Sequence, residues 1–192
     1  MAHLSTDELL AGLDHVRRSP VDGGALELIV ARPTPGAREV LDRGELSCRE
    51  GLVGDGWRVR GSKRTADGSA HPDMQLNIIN ARFSALVSRG DPRQRAVAGD
   101  QLHVDLDLSA ANLPPGTRLA IGSAVIEVTD QPHTGCVKFS ARFGVDALRF
   151  VNSAVGKELH LRGINARVVQ PGTIGRCDTI TKLVVVSPAT SL

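Results

Sequence analysis

The chain has 192 residues, of which 41% are hydrophobic and 23% charged, and its formal net charge is +2. This is the composition of one folded domain with a substantial core, and it excludes a disordered chain. Aromatic residues make up only 3%, Tyr is absent and the cations form no long stripe, so nothing asks for a nucleic-acid partner.

Ser5 and Glu8 form a Ser-x-x-Glu capping box, and Leu9, Leu10, Leu13 and Val16 recur at helical spacing. The pattern predicts an amphipathic helix over 6–18, ended by Ser19-Pro20. Residues 25–31 read as a strand, broken by Pro33-Thr34-Pro35-Gly36, and a short helix is expected near 37–43. Residues 51–73 carry Gly, Ser, Pro and charge, and are expected to form a long mobile loop. Its run of Arg58, Arg60, Lys63 and Arg64 reads either as a solvated loop or as a lid that neutralises an anionic ligand.

Residues 75–79 read as a strand, with Asn80 placed to cap a helix over 81–89. Residues 101–108 alternate strictly, the signature of a half-buried strand. Residues 118–121 and 124–129 form a hairpin around Gly122-Ser123. Beyond Cys136 the period lengthens: Phe139, Phe143, Ala147, Phe150 and Val151 share one helical side, interrupted at Gly144. Residues 157–161, 164–170 and 179–186 read as strands again. Such a succession of short strands with tight turns predicts a mostly β (α+β) fold: a strongly bent antiparallel sheet or barrel with short peripheral helices. Neither a GxGxxG fingerprint nor a Walker loop is present. No apolar run reaches the ~20 residues of a membrane span, and the first residues lack a signal-peptide pattern, so a cytoplasmic location is expected.

Chemistry concentrates at Pro132-His133-Thr134-Gly135-Cys136-Val137-Lys138-Phe139, followed by Arg142. A turn delivers one soft nucleophile to the start of a helix, with cations after it, conditions that favour thiolate over thiol. Such a group carries sulfur, attacks an electrophile or binds a soft metal. Gly135 leaves room beside the sulfur for a bulky ligand. His133 reads as a general base, as a donor to a bound anion or as a loop residue. Asp55, in the long loop, and Asn77 and Asn80, at a strand end, are further candidates. Cys48 and Cys177 lie on turns, and three cysteines without a CxxC or HxxxH pair argue against a disulfide framework or a structural zinc site.

Several stretches follow one another as they do in MOSC domains, named for the C-terminal domain of molybdenum cofactor sulfurase. They are Gly99-Asp100-Gln101-Leu102, Asp107-Leu108-Ser109, Asn112-Leu113-Pro114, residues 132–139, Arg142-Phe143-Gly144 and Leu161-Arg162-Gly163-Ile164. Gly51-Leu52-Val53-Gly54-Asp55 resembles the family's earlier Gly-x-x-Gly-Asp element. The resemblance implies a MOSC domain over 49–192, preceded by a helix-strand-helix extension over 1–48 that packs on the barrel, as in stand-alone bacterial members. It implies that Cys136 ligates molybdenum in the molybdenum cofactor or carries sulfur as a persulfide. His133, Thr134, Gly135 and Lys138 would shape the site. Arg142, Lys138 and Arg58 or Arg60 would meet the cofactor's phosphate. The implied activity is sulfur transfer or reduction of N-hydroxylated substrates; the alternative is a metal-free thiol barrel without catalysis. Members that reduce N-hydroxylated compounds often carry Arg-Pro before the cysteine, where this chain has Thr134-Gly135. No pyridoxal phosphate site is expected, so sulfur would come from a partner, a cysteine desulfurase.

Overall fold

A computed structural model describes residues 3–183. The first helix, α1 (Thr6–Arg17), begins at the expected capping box: the Ser5 hydroxyl accepts from the Glu8 amide and the Glu8 carboxylate accepts from the Ser5 amide. Leu9, Leu13 and Val16 are its buried stripe. The chain then enters β1 (Gly24–Ala31), β2 (Glu39–Leu41), β3 (Arg43–Ser47) and β4 (Gly51–Leu52). The helix expected near 37–43 is therefore two short strands. Val40 pairs with Val30 of β1, and β3 is held by a partner far along the chain, so tertiary pairing overrides the local pattern.

A short helix α2 (Trp57–Arg60) and a 3-10 turn (Pro72–Met74) interrupt the predicted loop. Then come β5 (Leu76–Asn80), α3 (Ala81–Val87), α4 (Pro92–Ala96), β6 (Leu102–Asp105) and the hairpin β7 (Arg118–Ile121) and β8 (Ala124–Val128). Among the described residues three helices follow Cys136: α5 (Val137–Phe143), α6 (Val145–Asn152) and α7 (Ala154–Glu158). The last strands are β9 (Ile164–Gln170), β10 (Gly172–Gly175) and β11 (Thr179–Leu183); the predicted continuation to 186 lies outside the described residues. The strand expected over 157–161 is the end of α7 and a turn, in which the His160 backbone takes φ 45°.

Seven strands close a barrel in the order β1-β11-β7-β8-β9-β5-β6, with β6 returning to β1. All neighbours are antiparallel except β5 and β6, whose parallel pairing is made possible by the α3–α4 crossover. The strand of the N-terminal extension is thus a stave of the barrel, hydrogen-bonded on both sides, and not a layer packed upon it. Strand β2 extends the sheet from β1, and β10, β3 and β4 make a small second sheet.

Two cores result. The barrel interior is aliphatic, with Leu26, Ile29, Leu76, Leu102, Ile126 and Ile180 fully buried. On the outside, α1, α3, α5 and α6 pack against the barrel around Phe83, Phe139, Phe143 and Phe150. This outer layer corrects the reading of 101–108: His103 alternates away from the barrel interior, yet it is fully buried beneath the helices. Its Nδ1 lies 2.9 Å from the Ser84 hydroxyl. Among the described residues no helix is long and apolar enough to cross a membrane.

Burial, helped by the nearby Arg95 and Arg162 cations, pushes the His103 pKa down to about 3. A folded pKa below the unfolded one means that stability is present above the unfolded value and drains as pH falls towards the folded value. His103 is therefore expected to take away about 2 kcal/mol between about pH 7 and about pH 5, at ~1.4 kcal/mol per unit. Urea midpoints of the wild type and His103→Gln at both pH values check this: the substitution should flatten the acid limb by that amount.

Candidate functional site

Arg32 follows the last residue of β1, where an apolar strand ends against Pro33. Its side chain turns into the protein and is only 5% exposed, and Asp55, just beyond β4, is fully buried beside it. The carboxylate takes Arg32 Nε at 2.8 Å and Nη2 at 3.0 Å, together with the backbone amides of Arg32 and Trp57, each at 2.8 Å. Arg32 Nη1 donates to the Asn77 side-chain oxygen at 2.8 Å and to the Gly99 carbonyl at 2.6 Å. One buried guanidinium thus ties together β1, the β4–α2 turn, β5 and the loop before β6.

Over this pair opens a cavity of about 590 Å³. Cys136 lines it from the N-cap position of α5, and Lys138, Phe139 and Arg142 line it from the helix itself. Arg32, Arg38, Arg60 and Arg162 complete the cationic wall. Arg162 is matched by Asp100, a fully buried carboxylate, at 2.8 and 2.9 Å, and its guanidinium carbon lies 5.1 Å over the Phe139 ring. Six cations of the described residues therefore face one cavity, with two carboxylates behind them. Burial, followed by repulsion from Arg142 and Arg32, lowers the Arg38 pKa, and burial with repulsion from Arg32 does the same to Arg60. Both guanidiniums stay charged. Gly99, at φ 96°, permits the convergence: a Cβ there would stand 3.1 Å from Arg142 Nη1 and 3.7 Å from Arg38 Nη2. Cations gathered around an open space favour an anionic occupant.

The loop that carries Cys136 is pinned from both sides. The Asn77 amide donates to Asn165 at 2.6 Å, and the Asn165 amide donates to the Gln131 carbonyl at 3.0 Å. Further on, the Asn152 side chain accepts from the Gly135 amide at 3.0 Å and donates to its carbonyl at 3.3 Å. Cys136 is exposed and is a free thiol, as are Cys48 and Cys177.

The sequence-based candidates separate into three groups. Cys136, Lys138, Arg142 and Asn77 meet at the cavity, with Asp55 anchoring its floor. His133 and Thr134 do not line it; they face a second cavity on the other side of the loop. The His133 side chain is only 13% exposed, and burial, then Arg162, Arg32 and Arg64, hold its pKa well below the usual imidazole range. Asn80 is elsewhere: its oxygen caps α3 through the Phe83 amide, and its nitrogen donates to Ser19 and Leu106. The absent side chain of Gly135 serves packing rather than ligand approach, because a Cβ there would stand 2.6 Å from Val151 and 2.8 Å from Leu148. Sequence reasoning missed Arg32, Arg38, Arg162 and Asn152. A charge closing an apolar strand before Pro33, and another between Leu161 and Gly163, were the available signals.

The family model described as "MOSC domain" matches residues 69–181, more than half of the chain. The barrel resembles several solved structures. The YiiM protein from Escherichia coli is 22% identical, with a TM-score of 0.54, over 85% of this chain and 72% of that one. The YUAD protein from Bacillus subtilis is 20% identical, with a TM-score of 0.56, over 82% and 93%. A structure described as a hypothetical protein is 23% identical, with a TM-score of 0.58, over 87% and 71%. No curated protein matches. The fold and the family model together define the class: this chain belongs to the MOSC domain family.

Two substitutions test the local architecture. Asp55→Ala leaves Arg32 buried without its partner and is expected to cost about 3–5 kcal/mol. Gly135→Ala forces its methyl against α6 and should cost about 1–3 kcal/mol. Denaturant titration reads both; a loss below about 1 kcal/mol for Asp55→Ala would contradict the anchoring role.

Proposed function

We propose that the protein binds a pterin-type molybdenum cofactor in the cationic cavity, with the Cys136 thiol as its protein ligand to the metal. The supporting observation is the conjunction of an exposed thiol with an excess of guanidinium groups around one open volume. Arg38, Arg142, Lys138 and Arg60 have the chemistry to hold a phosphate, and a thiolate suits a soft metal. Among the described residues no three His, Cys, Asp or Glu side chains group to hold a metal ion, so the metal would bring its remaining ligands with it. That suits a metal already chelated by sulfur. When bound, the cofactor supplies a centre that exchanges oxygen or sulfur with a substrate, including removal of oxygen from N-hydroxylated compounds.

The chain's own part is positioning. The Asn165 and Asn152 clamps hold the loop on either side of the thiol. The Arg32–Asp55 pair keeps Asn77 and Gly99 in place beneath the anion. Exposure of Cys136 and of Val137, 82% accessible, favours a second reading in which the thiol also carries sulfur as a persulfide. A donor protein, a cysteine desulfurase, can reach such a group, and a cytoplasmic setting would keep the thiol reduced.

Elemental analysis and intact mass of protein from a cofactor-producing host test the proposal. The wild type should hold one molybdenum per chain and Cys136→Ser none. The Arg38→Ala/Arg142→Ala double variant should retain the cofactor about tenfold less well or worse, since each charge-assisted hydrogen bond is worth about 1.5–3 kcal/mol. Protein with neither molybdenum nor a persulfide on Cys136 would overturn both readings.

A further inference from the structure

We infer a second ligand site on the opposite side of the cysteine loop, built for a small apolar molecule that carries one hydroxyl or N–H donor. This inference is independent of what the cationic cavity holds. The space is about 400 Å³, within the range of small-molecule pockets. Its walls are apolar: Leu113, Val128, Val151 and Ile164 are buried residues of the turn before β7, of β8, of α6 and of β9. Polar residues also line it, Asp130 and Lys157 among them, and several are already engaged: Thr129 Oγ1 donates to the Asp73 carbonyl and the Gln131 amide to the Asp130 carboxylate. Arg162 is held by Asp100, Asn152 is held by Gly135, and His160 Nδ1 donates to the Leu108 carbonyl at 2.8 Å.

His133 differs. Its Nδ1 is buried, has no hydrogen-bond partner among the described residues and lies 3.6 Å from an Asp100 carboxylate oxygen. A lone pair pointed at a carboxylate is repelled, so the ring proton belongs on Nδ1. Nε2 of the neutral ring is then an acceptor, and His133 is one of the residues that line the cavity. An apolar body fills the walls, and one donor satisfies that nitrogen.

Occupancy of this site is felt at Cys136. Thr134 lines the cavity directly, and Asn152 lines it while gripping both backbone groups of Gly135. A ligand that shifts either one moves the peptide next to the thiol.

The test uses the full chain as purified, two donor-bearing probes (indole and phenol) and their methylated counterparts (1-methylindole and anisole). Backbone amide spectra should show shifts at Thr129, Thr134, Gly156 and Gly163 with the first pair, and about five- to tenfold weaker binding of the second, the worth of one hydrogen bond. In His133→Phe the difference within each pair should vanish. Ala110→Trp, at an exposed position of the lining, should remove binding of all four. Saturating indole should change the rate of Cys136 alkylation by iodoacetamide about fivefold in the wild type and leave Ala110→Trp unaffected. No binding at millimolar concentration, equal binding of parent and methylated probes, or binding that survives Ala110→Trp would overturn the site. Binding with an unchanged alkylation rate would overturn its coupling to Cys136. Metal loading enters none of these readouts, so failure here is distinct from failure of the cofactor proposal.

Discussion

The Arg32–Asp55 pair is the interaction on which the site depends. Two opposite charges are taken out of water, which is tolerable only because nearly every polar atom finds a partner. Asp55 collects four hydrogen bonds within 3.0 Å, and Arg32 reaches Asn77 and Gly99 as well. Such a pair adds little to stability compared with an apolar replacement, but it specifies geometry. It dictates where the β4–α2 turn must lie against the end of β1, and that placement brings Arg60 and Val59 over the cavity. The turn is not a free loop with a charged tip but a segment nailed down at its root.

The second consequence is electrostatic. Arg32 and Arg162 are each compensated by a buried carboxylate, whereas Arg38, Arg142 and Lys138 face the same space with no carboxylate of the described residues within ion-pair distance. The first two are charge-balanced, and the others supply the net positive charge of the cavity. The same loop that presents Cys136 to this charged space presents a neutral imidazole to an apolar one. Two chemically opposite environments are therefore separated by a few residues of backbone, and Arg162 lines both.

Much of the barrel was legible because alternating and aliphatic runs betray strands that face one core. The capping box at Ser5 and the Asn80 cap were legible for the same local reason. What escaped was non-local. Residues 39–47 are polar and short, and become strands only because β1 and β10 pair with them; β10 itself carries glycine at both ends. The strand at 157–161 was misread because a helix end and a turn left an apolar residue on either side of His160. At the site, Cys136, Lys138 and Arg142 were visible as one contiguous motif. Arg32, Arg38 and Arg162 come from three other parts of the chain, and only barrel closure brings them together. His133 lines the other cavity, and sequence proximity to a thiol says nothing about which face a side chain takes.

The barrel closes where Gly24 of β1 meets Ile180 of β11. Contacts this far apart along the chain carry a large loop-closure entropy and form late, so folding is expected to be slow for a protein of this size. A ribosome-bound chain already holds Arg32, Asp55 and Cys136 before β11 has emerged, and β1 then exposes an unpaired edge. The last seam to join lies far from the thiol in sequence. During synthesis, the cationic cavity must therefore be assembled inside a sheet that is still open.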